Sequence, residues 1–141
     1  MTAGFDTAWD GKTLAADRMA LFGDTQMPFS KIRRLDDCIV AWVGRLEHGI
    51  VLLEWMAGRH EWPAFQKEDH FTTLIVAKTN LCHFYEQSPI PITVENPFMA
   101  WGVGREVAIG AMAMGADARK AVEIASVYCS GCGFGVDAFD I

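Results

Sequence analysis

No stretch of this chain reaches eighteen consecutive apolar residues, so no part of it reads as a membrane-spanning helix. The N-terminus has no basic segment followed by an apolar one, the pattern of a secretory signal. Basic residues are also scarce. Twelve Lys and Arg face eighteen Asp and Glu, a formal net charge of −6. Nucleic-acid partners select surfaces rich in Lys and Arg. The one basic cluster, Lys31, Arg33 and Arg34, is followed at once by Asp36 and Asp37, so nucleic acid is excluded as the expected partner. The cysteines number only four among 141 residues, too sparse for a disulfide scaffold. They point to a reducing, cytoplasmic compartment. No internal repeat or low-complexity tract occurs. The remainder, 51% apolar, is enough for one domain over residues 1–141 with a substantial core.

Phe5, Thr7 and Trp9 alternate with small or polar residues. Asp10-Gly11 then separates them from Thr13, Leu14, Ala15 and Ala16, the signature of a hairpin. Residues 23–30 read as loop and 32–35 as a short strand. The apolar run 38–43 reads as a strand buried on both faces. Helical spacing of Ile50, Leu53 and Ala57 predicts a helix over 47–57 that stops at Gly58, and the polar residues 59–70 connect it onward. Strands are predicted at 74–77, 81–85, 90–94 and 98–103. Helices follow over 105–114 and from Asp117, whose carboxylate can cap the next turn. A last strand falls at 134–139. Grouped strands with segregated helices predict two sheets with helices outside, not an alternating dinucleotide-binding fold.

Several possible sites carry little. Cys129 and Cys132 form a C-x-x-C pair, but zinc needs further ligands at matched spacing. Cys82 and His83 lie far off in sequence. A thioredoxin-like pair follows a strand and opens a helix, whereas this one follows a helix, so it reads as two buried cysteines. Gly102-Val103-Gly104 lacks the third glycine and the lysine of a phosphate loop, and reads as a tight turn. The histidines 48, 60, 70 and 83 share no ligand spacing. No metal and no cofactor is expected. Asp17 and Lys31 are different. If their strands are neighbours, carboxylate and ammonium meet at one sheet end, near the N-terminus, and bias the proton state of any hydroxyl there. A plain surface salt bridge is the simpler alternative. The Met-Thr start adds a condition. Removal of Met1 leaves Thr2 with hydroxyl and free amine on one residue, nucleophile and base together.

Four stretches extend this reading. They are GKTLAAD at 11–17; GDTQM at 23–27 with KIRRL at 31–35; IVAWVG at 39–44 leading to LLE at 52–54; and MAWGVG at 99–104 with CSG at 129–131. In order and spacing they resemble the proteasome family of N-terminal-nucleophile hydrolases, most closely its HslV peptidases. The resemblance implies an α+β fold, a four-layer α/β/β/α sandwich, with a shortened helical layer because residues 59–71 are too few and too polar for the second long helix. It implies a homo-oligomeric ring, a peptide substrate, and an ATP-dependent unfoldase partner of HslU type. It also implies threonine catalysis. Thr2 attacks, Lys31 lowers the hydroxyl pKa, Asp17 orients Lys31, and Ser130 lies beside the amine. Ala41 lines the substrate pocket. For Thr2 to stand at the nucleophile position, the Asp10-Gly11 hairpin must be one residue tighter than a gap-free count back from Asp17. Two positions depart from the pattern: Val103 and Val127 stand where the family carries Ser and Asp. The alternative is therefore a catalytically inactive subunit of the same fold, used for assembly or interaction.

Overall fold

The computed structural model describes residues 2–3, 6–64 and 72–141, and only the backbone of residues 2–3. Among them are twelve strands and three helices. The first three strands are β1 (Thr2–Ala3), β2 (Thr7–Trp9) and β3 (Thr13–Asp17). β2 and β3 form the expected hairpin. The Asp10 N–H donates to the Thr13 carbonyl (3.2 Å). Asp10 Oδ1 accepts from the Lys12 and Thr13 amides at 3.0 and 2.7 Å. Gly11 takes φ +95°, a conformation that favours glycine. The register that follows pairs Thr7 with Ala16 and Trp9 with Leu14.

Next come β4 (Met19–Phe22), β5 (Thr25–Pro28), β6 (Ile32–Arg34) and β7 (Ile39–Arg45). β5 corrects the loop reading of residues 23–30. It is a mostly exposed strand at the sheet edge, so it carries no apolar alternation to read. Helix α1 (Leu46–Met56) leads through residues 57–64 towards 65–71, which lie outside the described residues. β8 (Thr73–Lys78), β9 (Leu81–Tyr85), β10 (Ile92–Thr93) and β11 (Met99–Trp101) follow, then α2 (Arg105–Ala113), α3 (Ala118–Tyr128) and β12 (Val136–Asp140). The strand expected over 90–94 is reduced to β10, both of whose residues are exposed at an edge.

These strands make two sheets. β11-β2-β3-β12 is four-stranded; the other, eight-stranded, runs β10-β9-β8-β7-β1-β4-β5, with β6 also on β7. β1 belongs to the larger sheet and β2 to the smaller. Trp9, Leu14 and Ala16 meet Ile32, Ile39, Ala41, Val43 and Ile75 between the sheets. On the far face of the smaller sheet, Ala8, Ala15 and Ala100 meet Ala108, Ala118 and Ala121 of α2 and α3. Small side chains on both surfaces let the helices approach closely. Helix α1 covers Val40, Leu74 and Val76 on the outer face of the larger sheet. A Cβ on Gly49 would lie 2.2 Å from the Trp42 ring, so glycine there is what seats α1 on β7. The order of layers is α/β/β/α, with one helix among the described residues on the α1 side.

Candidate active site

The chain passes from the small sheet to the large one at Arg18, between β3 and β4. The Arg18 N–H donates to the carbonyls of Gly133 and Gly135 (3.0 and 3.1 Å), which ties the crossing to the loop after α3. Asp17 ends β3 at this crossing, and Lys31 reaches it from just before β6. Both side chains are fully buried. Lys31 Nζ donates to Asp17 Oδ1 at 2.6 Å and to the Met19 carbonyl at 2.9 Å. The rest of the Asp17 carboxylate is also engaged. Oδ1 accepts from the Asp6 N–H (3.2 Å), and Oδ2 from the Met19 and Gly133 N–H groups (3.3 and 3.1 Å). Four donors thus converge on one buried carboxylate, so neither oxygen is left without a partner. Burial holds the Lys31 ammonium below the ordinary lysine range, while the charge and hydrogen bond of Asp17 work against that shift.

Asp6 is the residue that sequence reasoning did not single out. The tight hairpin puts it opposite Asp17, whose N–H donates to the Asp6 carbonyl (3.1 Å). Its side chain is fully buried, and neither carboxyl oxygen has a hydrogen-bond partner among the described residues. Burial pushes this carboxyl up to about 8, the neighbouring Asp17 pushes the same way, and Lys31 opposes both. Its cover comes from the helical layer. A Cβ on Gly104, the N-cap of α2, would lie 2.9 Å from Asp6 Cγ and 3.1 Å from Cys132 Sγ. Burial also pushes the Cys132 thiol up, with Asp17 and Asp6 acting in the same direction. The available signal was phase: Asp6 is two residues before Ala8, on the face that meets the helices.

Of the other expected site residues, Thr2 lies in β1, opposite Leu21 of β4 and Arg45 of β7. That is two positions along β4 from Met19, roughly 7 Å at the rise of a strand. Ser130 is exposed in the turn between Cys129 and Cys132. Ala41 is fully buried in the core between the sheets. It precedes Trp42, whose N–H donates to the Lys31 carbonyl (3.2 Å). Val103 and Val127 are exposed. No group of three or more His, Cys, Asp or Glu among the described residues is arranged to hold a metal ion. None of the described helices is long and apolar enough to cross a membrane.

Solved structures share this arrangement over nearly the whole chain. Eukaryotic HslV from Trypanosoma brucei superposes with a TM-score of 0.73 at 21% identity, covering 96% of this chain and 97% of that one. The chain has the HslV fold. Thiobacillus denitrificans BPH has it too, with a TM-score of 0.75 at 19% identity and the same coverage. BPH in complex with epoxomicin gives 0.74 at 18%. No family model matches the sequence, and no curated protein does. The Asp17–Lys31 contact lies where the two sheets join: Asp17 ends β3 of the smaller sheet, and the Met19 carbonyl that Lys31 also holds opens β4 of the larger.

Proposed function

We propose that this chain is a ring-forming subunit of the HslV fold in which the Asp17–Lys31 pair braces the site, and that it acts by assembly rather than by threonine catalysis. The observation that carries this reading is the register. Asp6 stands opposite Asp17, while Thr2 belongs to β1 in the other sheet. Nucleophilic catalysis by an N-terminal threonine needs its hydroxyl, its free amine and its activating partners within hydrogen-bond reach. Val103 and Val127 support the same conclusion, since neither side chain can hold an amine by a hydrogen bond. The test uses epoxomicin, which is bound in one of the BPH structures. Intact mass after incubation should show the chain unmodified, and a covalent adduct on residue 2 would overturn the proposal.

A second reading, a threonine peptidase cutting peptides inside the ring, has one specific observation in its favour: Lys31 and Asp17 stay in contact at full burial. In it, Met1 is removed and residues 2–3 leave β1. The Thr2 hydroxyl attacks the substrate carbonyl carbon and the Thr2 amine takes the proton. Lys31 lowers the pKa of the hydroxyl, Asp17 orients Lys31, Ser130 steadies the amine and Ala41 lines the pocket. An HslU-like unfoldase would deliver the peptide. This reading predicts a native N-terminus at Thr2 and turnover of a fluorogenic peptide that Thr2→Ala abolishes. A cytoplasmic homo-oligomer is common to both readings, and sedimentation of the purified chain tests it.

A further inference from the structure

The loop after α3 holds two thiols and also holds the site. The Cys132 N–H donates to the Cys129 carbonyl (3.2 Å), closing a turn over Ser130 and Gly131. A closed turn of this kind keeps its first and last Cα atoms within about 7 Å. Disulfides span Cα separations of about 4.4–6.8 Å. The pair therefore needs little backbone movement to join. Cys129 is half-buried, while Cys132 is buried with its sulfur against Gly104, beside the unpartnered Asp6 carboxyl. The next residue, Gly133, donates its N–H to Asp17 Oδ2, and its carbonyl accepts from the Arg18 N–H.

We infer that Cys129 and Cys132 form a reversible intrachain disulfide, a modification site whose oxidation loosens the seat of Asp6 and Asp17. The oxidant is a low-molecular-weight disulfide such as glutathione disulfide. The more exposed Cys129 attacks it as the thiolate, forming a mixed disulfide and expelling one thiolate. Cys132 then attacks Cys129 Sγ, and the second thiolate leaves. Two protein thiols are oxidised to one disulfide, and one small disulfide is reduced to two thiols, which take up the two protons. To reach Cys129 the Cys132 sulfur must quit its place against Gly104. Water then gains access to Asp6. The charged groups facing that carboxyl are Asp17 from β3 and Lys31 from the segment before β6; α2 and α3 present Gly104 and Ala125. This inference does not depend on whether Thr2 is a nucleophile.

The test is to treat the whole folded chain with glutathione disulfide, alkylate, and digest with trypsin. No Lys or Arg follows Lys120, so both cysteines fall in one peptide, residues 121–141. The expected product is that peptide lighter by two hydrogens and unalkylated, restored by dithiothreitol, and absent in Cys129→Ser. A persistent glutathione adduct on Cys129, a disulfide between chains, or no reaction would overturn the proposal. Hydrogen exchange supplies the second readout. Exchange at the Gly133 amide should quicken at least several-fold on oxidation. An unchanged rate in the disulfide form would overturn the link to Asp17.

Discussion

Two carboxylates face each other across the first hairpin, equally buried and oppositely served. Asp17 accepts from four donors, Lys31 among them; Asp6, just before the adjacent strand, accepts from none among the described residues. Depth alone therefore does not decide whether a buried acid is satisfied. The partners do. The backbone supplies most of the difference, because the crossing at Arg18 and the turn before Gly133 aim their amides at Asp17, whereas the helical layer offers Asp6 a glycine and a thiol.

The largest test of this contrast removes the cation. Lys31→Ala leaves the Asp17 charge buried with only neutral donors, and should lower the unfolding free energy in urea by about 3–5 kcal/mol. If the pair is instead replaced by apolar residues together, Asp17→Leu with Lys31→Met, much of that loss should return. Equal losses in the two variants would break the comparison.

The second test uses pH. Unfolded Asp6 ionises near 3.8, and folded Asp6 holds its proton up to about 8. Between those values the folded chain binds more protons, so the Asp6 contribution is full at acid pH and declines as pH rises towards 8. The slope contributed is about 1.4 kcal/mol per pH unit. Asp6→Asn should flatten the urea midpoint across this range and leave the variant the more stable of the two at pH 8. A profile unchanged by the substitution would remove Asp6 as the source.

Smaller effects sharpen the contrast further. Gly104→Ala pushes a methyl group against Asp6 and Cys132, and should cost about 1–3 kcal/mol in thermal unfolding. A half-buried counterpart of these acids is Asp137, 3.5 Å from the more exposed Arg18. Asp137→Ala should change stability by no more than about 1 kcal/mol, less at high salt.

Much of this was legible from the sequence, for physical reasons. Asp10-Gly11 encodes its turn locally, and the continuous apolar run in β7 reflects cover on both faces. Asp17 and Lys31 stood out because a charge closing an apolar run needs a partner. β5 was hidden because an exposed edge strand needs no pattern. Asp6 was hidden because nothing local marks an acid as unpartnered. Its place follows from the register, and the register depends on how tight the turn is, which the dipeptide alone leaves open between two counts. A slip of one residue moves every side chain of β2 to the opposite face. Thr2 and Trp9 stand in different sheets, β1 in the larger and β2 in the smaller, a division that alternation along the chain cannot report.

The pairing of β12 with β3 also bears on how the chain emerges during synthesis. Strands β4 to β8 find all their neighbours within residues 2–85, β4 and β7 both bordering the earlier β1, and β9 needs only Ile92–Thr93 beyond that. The smaller sheet must wait: β2 has no outer neighbour until Met99–Trp101 is made, and β3 none until Val136–Asp140. Asp17 is thus translated long before it is enclosed, because the Gly133 amide arrives more than a hundred residues later. A nascent chain paused before that point carries an open sheet edge and an acid still in water. Any factor that guards this protein on the ribosome has that interval in which to act.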